Sequence, residues 1–377
     1  MEQLPKNDPL LVLRALPEIL MQHKIIKYVV LFIICYMTVT MILCSYVLAT
    51  VRGLWDLFWS QYSLLAFGSS IGFSCYFVAF WKGSEFIKLR RRVFANYWPL
   101  TSLGEESFQK IKKLSIFANV FMVATILASL ATSTAGLPWV GDEYDIMFPV
   151  RVYTDYFGER AVPLLVPFYL AMYCTGFVMI STGFIFVHFA LHLKFQFFLL
   201  NKRLDGLRTE PLVNDFLYQN HVKEELTCCI EYHQKLLKVA KEMNDIVYYP
   251  IFIVVSCGIM FSVCLVFYMK NFKNSFVRGT TMAMTGTLTT FGFGFTGQLM
   301  ENESGRLFDT SVMLPWHLWC LSNRKLYHIF LTKCQYHVSF SSSGIINLNH
   351  TLFISLYTKI TSILSFLLNV SKKNHTK

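Results

Sequence analysis

Seven apolar runs, each long enough to cross a bilayer as a helix, divide the chain. They lie at residues 28–50, 60–81, 114–133, 163–193, 247–269, 279–300 and 347–370. A hydrocarbon core about 30 Å thick needs about 20 apolar residues in a helix. The fourth run is long enough to continue out of the membrane, and hydroxyl and amide side chains interrupt the seventh. The pattern predicts an all-α membrane protein with seven transmembrane helices.

Composition agrees with a membrane environment. The chain has 377 residues, of which 54% are hydrophobic and 15% are charged, whereas ordinary soluble domains carry about 25% charged residues. The net charge of +11 raises nucleic-acid binding as an alternative. The basic residues lie between the apolar runs and form no single patch, which argues against that class. The polar start lacks the pattern of a signal peptide, so the first run is expected to act as its own insertion signal.

The distribution of lysine and arginine predicts the orientation. Of the 34 basic residues, 24 lie in segments 1–27, 82–113, 194–246 and 301–343, and 9 lie in the segments on the other side. Because cytosolic loops carry the excess of basic residues, we expect a cytosolic N-terminus and an extracellular C-terminus. G-protein-coupled receptors have the opposite orientation, and the Asp-Arg-Tyr and Asn-Pro-x-x-Tyr signatures of their largest branch are absent.

Two segments on the predicted cytosolic side have the pattern of helical extensions. Residues 223–247 repeat apolar side chains at a helical spacing and should run without a break into the fifth span; the stripe is Leu226, Ile230, His233, Leu237, Ala240 and Val247. Residues 306–334 are similar, with Trp316, Trp319, Leu326 and Phe330 above charged residues. Two interpretations remain open: helices that pack on their own subunit, and a bundle that ties subunits together.

The last run carries a polar stripe along its whole length. The residues recur at steps of four and three, which places them on one helix face: Thr351, Ser355, Thr358, Ser362, Ser365 and Asn369. Lys359 lies near the middle of the span, where a charge facing hydrocarbon is costly. The stripe is explained either by helix packing or by an aqueous path that it lines. In the second case Phe366, Leu367 and Val370 form an apolar cuff that closes the path by dewetting.

The sequence resembles insect odorant receptors across nearly its whole length. The segment from Cys229 to Leu237 resembles the family's stretch before the fifth span, and Ser256 and Cys264 follow within the span. The closing third is more similar still, in the order Gly297, Gln298, Glu301, Ser304, Leu307, Trp316, Arg324, Lys325, Gln335, Gly344, Asn349, Phe353, Lys359, Leu367 and Leu368. At Ser362 and Ile363 the chain departs from the Tyr-Ser that the family often has, which bears on the alignment of the gate.

This resemblance implies an inverted seven-helix subunit of a tetramer, with a poorly selective cation pore lined by the last helix. The segment of about 50 residues before the fifth span resembles that of ligand-tuned subunits, which need an odorant co-receptor as partner in the plasma membrane of olfactory sensory neurons. The implied organisation is residues 1–300 for six helices with a ligand pocket in their outer half, 301–346 for cytosolic anchor helices, and 347–377 for the pore helix and an outer tail.

The resemblance also places the ligand pocket in the outer half of the bundle. With the predicted orientation, the outer halves of spans two, three, four and six supply the candidates: Phe67, Ser70, Phe73, Ser129, Ser133, Tyr169, Tyr173, Phe177, Met284, Thr287, Leu288 and Phe291. Aromatic residues, methionine and a few hydroxyls suit a small apolar or aromatic volatile. Ordinary packing is the alternative in a chain this rich in phenylalanine and tyrosine. The pore and gate candidates are Ser362, Ser365, Phe366, Leu367, Asn369 and Val370.

Other classes of function find less support. A gustatory receptor channel shares the architecture, but its terminal Thr-Tyr pattern is missing, since Thr361 is followed by Ser362. A seven-helix G-protein-coupled-type receptor and a transporter remain alternatives, although no internal repeat indicates a transporter. No nucleophile, acid–base pair or phosphate loop predicts an enzyme. We expect no cofactor and no metal, because His188 and His192 share a helix face without a third ligand.

Overall fold

A computed structural model of the protein describes residues 9–10, 13, 24–50, 63–102, 104–137, 148–208, 216–271, 276–342 and 346–375. Helices dominate these ranges: α1 (Lys24–Thr50), α2 (Ser63–Phe77), α3 (Gly83–Asn96), α4 (Glu105–Ala135), α5 (Phe148–Phe157), α6 (Val162–Asp205), α7 (Phe216–Asn271), α8 (Phe276–Val312), α9 (Leu321–Cys334) and α10 (His350–His375). The seven predicted runs fall on α1, α2, α4, α6, α7, α8 and α10 in that order.

The second helix extends further than its apolar run indicates. A π-helical turn, Val78–Lys82, joins α2 to α3 without a break, so the helix continues to Asn96. Beyond the membrane run α3 becomes amphipathic, with Phe86, Leu89 and Val93 buried against the protein. An apolar run predicts only the part of a helix that lies in lipid. Where the helix continues as an amphipathic segment, the run does not predict where the helix ends.

Within the described residues, five helices are long and apolar enough to cross a membrane by length and composition: Ile26–Thr50, Ser63–Val93, Glu105–Ala135, Phe148–Arg208 and Phe216–Met269. α8 and α10 do not meet this criterion because glycine and hydroxyl residues lower their hydropathy. Large apolar side chains nevertheless cover the outside of the bundle; Phe32 of α1 is 62% exposed and Leu127 of α4 is 60% exposed. A continuous apolar surface of this kind is stable against hydrocarbon and unfavourable against water.

The main hydrophobic core lies at the end of the bundle that carries the helical extensions. The second half of α6 is its centre, where Phe195, Phe197, Leu199 and Leu200 are fully buried. Segments of α3, α4, α7, α8 and α9 surround it and contribute to one continuous cluster. The prediction that the fourth helix continues out of the membrane is confirmed.

The predicted continuation of residues 223–247 into the fifth span is also confirmed, since α7 runs unbroken from Phe216 to Asn271. Its buried stripe follows steps of four and three: Val222, Leu226, Cys229, His233, Leu236, Ala240, Met243 and Val247. Cys229 and Leu236 are buried where the sequence pattern indicates Ile230 and Leu237, which are half-buried. The face is therefore rotated by part of a turn relative to the prediction.

The helical pattern of residues 306–334 is divided between two helices. α8 continues to Val312, a short 3₁₀ turn spans Trp316–Leu318, and α9 begins at Leu321. Pro315 precedes the 3₁₀ turn, and a proline has no N–H to continue a helix. After α9, two-residue strands β1 (Ser341–Ser342) and β2 (Ile346–Asn347) pair antiparallel, with Ser341 opposite Asn347. This hairpin leads directly into α10.

Candidate functional site

Three of the candidate ligand residues meet where α4 packs on α6. Ser129 and Ser133 of α4 are buried against Gly176, where a Cβ atom would lie 2.6 Å from the Ser129 Oγ. The Tyr173 hydroxyl lies 3.0 Å from the Thr134 hydroxyl. Glycine at position 176 lets the two helices approach closely, as small residues do in membrane bundles. These residues form a small polar contact inside an apolar bundle.

Four other candidates face different neighbours. Phe73, Tyr169 and Phe177 pack in a cluster that joins α1, α2, α5 and α6. Phe67 packs instead against a cluster that contains Cys264, Leu265 and Tyr268 near the end of α7. The four-residue spacing of Tyr169, Tyr173 and Phe177 fixes a common helix face, but it does not fix which neighbour that face meets.

The candidates on α2 and α8 that remain are more open. Met284 is 58% exposed and Phe291 is 38% exposed, with the Phe291 ring stacked on Phe295. The hydroxyls of Ser70 and Thr287 each donate a hydrogen bond to a carbonyl of their own helix, at 2.8 Å, and Leu288 is half-buried. The candidate set thus lies around several helix contacts in the half of the bundle away from the helical extensions, and its role in ligand binding stays a prediction.

Most of the polar stripe of the last helix is exposed to the surroundings of the part of the chain that the structure describes. Thr351, Thr358, Ser362 and Ser365 are exposed, and Ser355 is half-buried. Several hydroxyls donate to carbonyls one turn back on α10, Ser362 at 2.7 Å and Ser365 at 2.8 Å. Phe366 is 65% exposed. The side chains of Leu367, Asn369 and Val370 lie outside the described residues.

The start of α10 is joined to α8 through two glycines. A methyl group added at Gly297 would overlap the carbonyl oxygen of Leu348. At Gly294 an added Cβ atom would lie 2.7 Å from the Phe353 ring and 3.2 Å from the carbonyl oxygen of Asn349. The backbone that leads into α10 therefore lies directly on the surface of α8, which only glycine permits.

Polar contacts complete this α8–α10 joint. The Asn349 amide donates to the Glu301 carboxylate at 3.2 Å, and the His350 N–H donates to the Gln298 side chain at 3.2 Å. The Asn349 side-chain oxygen accepts from the N–H of Thr351 at 3.1 Å and from the Thr351 hydroxyl. A side-chain oxygen that accepts from the first turn is an N-cap. Asn349 therefore both caps α10 and ties it to α8.

A second polar cluster fixes the helical extensions to one another. The Tyr232 hydroxyl donates to Gln196 at 2.6 Å and accepts from the backbone N–H of Trp98 at 3.1 Å. Arg203 lies over the Trp98 ring and forms two hydrogen bonds with Glu225, at 2.6 and 3.0 Å. This pairing lowers the pKa of the Glu225 carboxyl. The cluster links α6 and α7 to the chain after α3.

His233 lies nearby in an apolar setting. Its ring packs edge-on against Phe197 and Phe330, at 6.0 and 5.6 Å between ring centroids. Burial lowers the pKa of His233 to about 4 because the charged form is poorly solvated there. The side chain is neutral at physiological pH and acts as part of the core.

Comparison with known proteins identifies the family. The family model described as 7tm Odorant receptor matches residues 77–359, well over half of the chain. The chain belongs to this odorant receptor family. The match includes the α8–α10 joint and the helical extensions, and it ends before the candidate gate residues.

Solved structures are similar to this receptor over almost its whole length. The insect olfactory receptor OR5 from Machilis hrabei in complex with eugenol has a TM-score of 0.73 and 12% identity, with 96% of this chain and 97% of that chain covered. A second OR5 structure has a TM-score of 0.69 and 12% identity, covering 98% and 93%. At this identity the similarity shows the shared seven-helix fold alone. No curated protein sequence matches the chain.

The α8–α10 joint can be tested with a matched pair of glycine substitutions in the receptor. Gly297→Ala should lower the unfolding midpoint of the purified receptor, because the added methyl group overlaps Leu348 and overpacking costs about 1–3 kcal/mol. Gly286 lies on the same helix with open space around its Cβ position. Gly286→Ala should be neutral or stabilising by up to about 1 kcal/mol, the helix propensity of alanine over glycine. Equal midpoints for the two variants would disprove the close contact.

Proposed function

We propose that this receptor is the ligand-tuned subunit of a heteromeric, odorant-gated cation channel. The observation that carries the proposal is the hydroxyl stripe of α10, which is exposed at Thr351, Thr358, Ser362 and Ser365 among the described residues. A polar face inside a membrane is stable against water or a polar partner. The last helices of several subunits around one axis would give the stripe an aqueous path to line.

Apolar surface on the helical extensions supports assembly with other subunits. Phe216, Leu217 and Leu321 are 76%, 74% and 68% exposed, and Met313 and Ile329 are exposed to a similar degree. These residues lie outside the seven apolar runs, so water would surround them in a lone subunit. An exposed apolar patch in water indicates a protein contact. We assign this surface to the co-receptor and neighbouring subunits of a tetramer.

The ligand we propose is a small apolar or aromatic volatile bound in the outer bundle. The OR5 structure is in complex with eugenol, a molecule of that kind. The candidate residues Ser129, Ser133 and Tyr173 offer hydroxyls beside aromatic rings, which suits one hydrogen bond and a large apolar contact. A ligand opens the channel only if it binds the open form more tightly than the closed form.

The contacts of α8 give a route from the ligand to the pore helix. Toward the outer bundle, the Thr285 hydroxyl lies 2.9 Å from that of Thr132 on α4. Further along α8, Phe293 packs where Gly183 leaves space on α6. Glu301 and Gln298 then hold the start of α10. A shift of α8 caused by a ligand would therefore move α10 directly.

The proposed orientation has a cytosolic N-terminus and an extracellular C-terminus, in the plasma membrane of olfactory neurons. An epitope tag after Lys377 should bind antibody on intact cells. The basic residues hold the N-terminus and the loops on its side of the membrane in the cytosol, and seven crossings then put the C-terminus outside. The same tag before Met1 should need permeabilisation, which provides the control. The reverse pattern would favour a G-protein-coupled-type receptor and overturn the channel proposal.

Partner dependence is tested by recording from cells that express this chain with and without a family co-receptor. We expect inward cation currents on exposure to a panel of volatiles only when both chains are present, because the apolar surface of the extensions needs a partner. Surface biotinylation should show equal amounts of this chain in both conditions. Large currents from this chain alone would contradict the obligate partner.

The pore assignment predicts two effects on α10. Ser362→Cys and Ser365→Cys should react with a water-borne thiol reagent and block the current, because both face the aqueous path. Val120→Cys, on the exposed apolar face of α4, should not react. Phe366→Ala should raise the resting current several-fold, because an apolar cuff closes a pore by dewetting. Unreactive stripe cysteines together with unchanged leak would remove α10 from the pore.

A further inference from the structure

A charged cleft lies between α3 and α7, away from the outer bundle and from α10. Its volume is about 300 Å³, at the lower end of the range for small-molecule sites. Lys82, Lys88 and Arg92 contribute cations from the second helix, and Glu85, Glu242 and Asp245 contribute carboxylates. The cleft begins at the last residue of the π-helical turn Val78–Lys82, a distortion that is frequent at functional sites.

Exposed aromatic side chains place the cleft at the depth of lipid headgroups. Trp81, next to Lys82, is 74% exposed and stacks on Phe77, which is also exposed. Tyr249, one turn from Asp245 on α7, is 72% exposed. Exposed tryptophan and tyrosine mark the membrane–water interface. On both helices the aromatic residue lies on the membrane side and the charges lie on the aqueous side, so this placement holds for either orientation of the chain.

The charges of the cleft are only partly matched within the protein. Lys82 pairs with Glu85 at 3.0 Å, and Arg92 pairs with Glu242 at 3.0 Å. Lys88 and Asp245 make no ion pair with any residue that the structure describes, and they lie on different helices. The cleft thus offers one cation and one carboxylate to a ligand. Its three positive and three negative side chains give the lining a formal net charge of zero.

We propose that this cleft binds the headgroup of phosphatidylethanolamine, with the phosphate on Lys88 and the primary ammonium on Asp245. A neutral lining with separated charges complements a zwitterion and offers no net attraction to an anionic lipid. The ammonium carries N–H groups that a carboxylate accepts as charge-assisted hydrogen bonds. The trimethylammonium of phosphatidylcholine has no N–H group and lacks this interaction. The acyl chains would lie along Phe77 and Trp81.

Native mass spectrometry of the purified full-length receptor, together with its partner subunit, tests the proposal. After exchange into nanodiscs with equal amounts of phosphatidylethanolamine and phosphatidylcholine, the released receptor should retain the ethanolamine lipid preferentially. Lys88→Gln and Asp245→Asn should each reduce that retention about tenfold, the loss of one charge-assisted hydrogen bond. Both side chains are exposed and form no ion pair with any described residue, so the fold should survive, which the unfolding midpoint checks.

Matched controls are Lys112→Gln and Asp309→Asn, which remove exposed charges outside the cleft and should leave retention unchanged. Lys88→Arg keeps the cation and should keep the lipid. Equal retention of the two zwitterionic lipids would overturn the assignment of the ammonium. Displacement by phosphatidylserine or a phosphoinositide would make the site anionic and overturn the proposal, as would retention that neither cleft variant changes.

Discussion

Apolar helices in lipid gain little by burying apolar side chains against one another, and this constraint divides the receptor into two halves. In the half away from the helical extensions, helices meet through glycines and hydroxyls: a Cβ atom on Gly72 would lie 3.0 Å from Thr175, and the Tyr76 hydroxyl lies 3.0 Å from the same threonine. In the other half, water surrounds the extensions, and the hydrophobic effect packs Phe195 and Phe330 into a core. Close backbone packing and hydrogen bonds thus hold one half together, and hydrophobic burial holds the other.

The two halves differ in how much they resist movement. A hydrogen bond between membrane helices contributes about 0.6–2 kcal/mol, whereas a buried phenylalanine in an aqueous core contributes about 1.5–3 kcal/mol and contacts many neighbours. In the proposed channel, movement in response to a ligand would therefore be easiest in the half of the bundle away from the extensions, while the extensions hold the subunit in place. α8 crosses both regions, and Glu301 and Gln298 connect it to α10 at the boundary.

The sequence predicts what depends on local periodicity and misses what depends on distant contacts. The seven runs and the unbroken continuation of α7 follow from residue spacing, although the buried stripe of α7 is rotated by part of a turn from the predicted one. The overlap of Gly297 with Leu348 joins residues about fifty positions apart, and no local pattern contains it; the family resemblance names Gly297 and Asn349 without their roles. The ligand candidates show the same limit, since Tyr169 and Tyr173 share a helix face, yet Tyr169 packs against the cluster that joins α1, α2, α5 and α6 and the Tyr173 hydroxyl reaches Thr134.

Lys359 constrains what can surround α10 more strongly than the hydroxyl groups of the helix do. Ser362 and Ser365 donate to carbonyls of their own helix, and this pairing reduces the cost of facing hydrocarbon. The Lys359 ammonium has no compensating contact of this kind, because the side chain is exposed and forms no ion pair with any described residue. An ammonium near the bilayer centre costs about 2.5–3.5 kcal/mol on insertion scales. In the proposed channel, the water or partner that accommodates the Lys359 charge would also reach Ser355 and Ser362, which each lie one turn away.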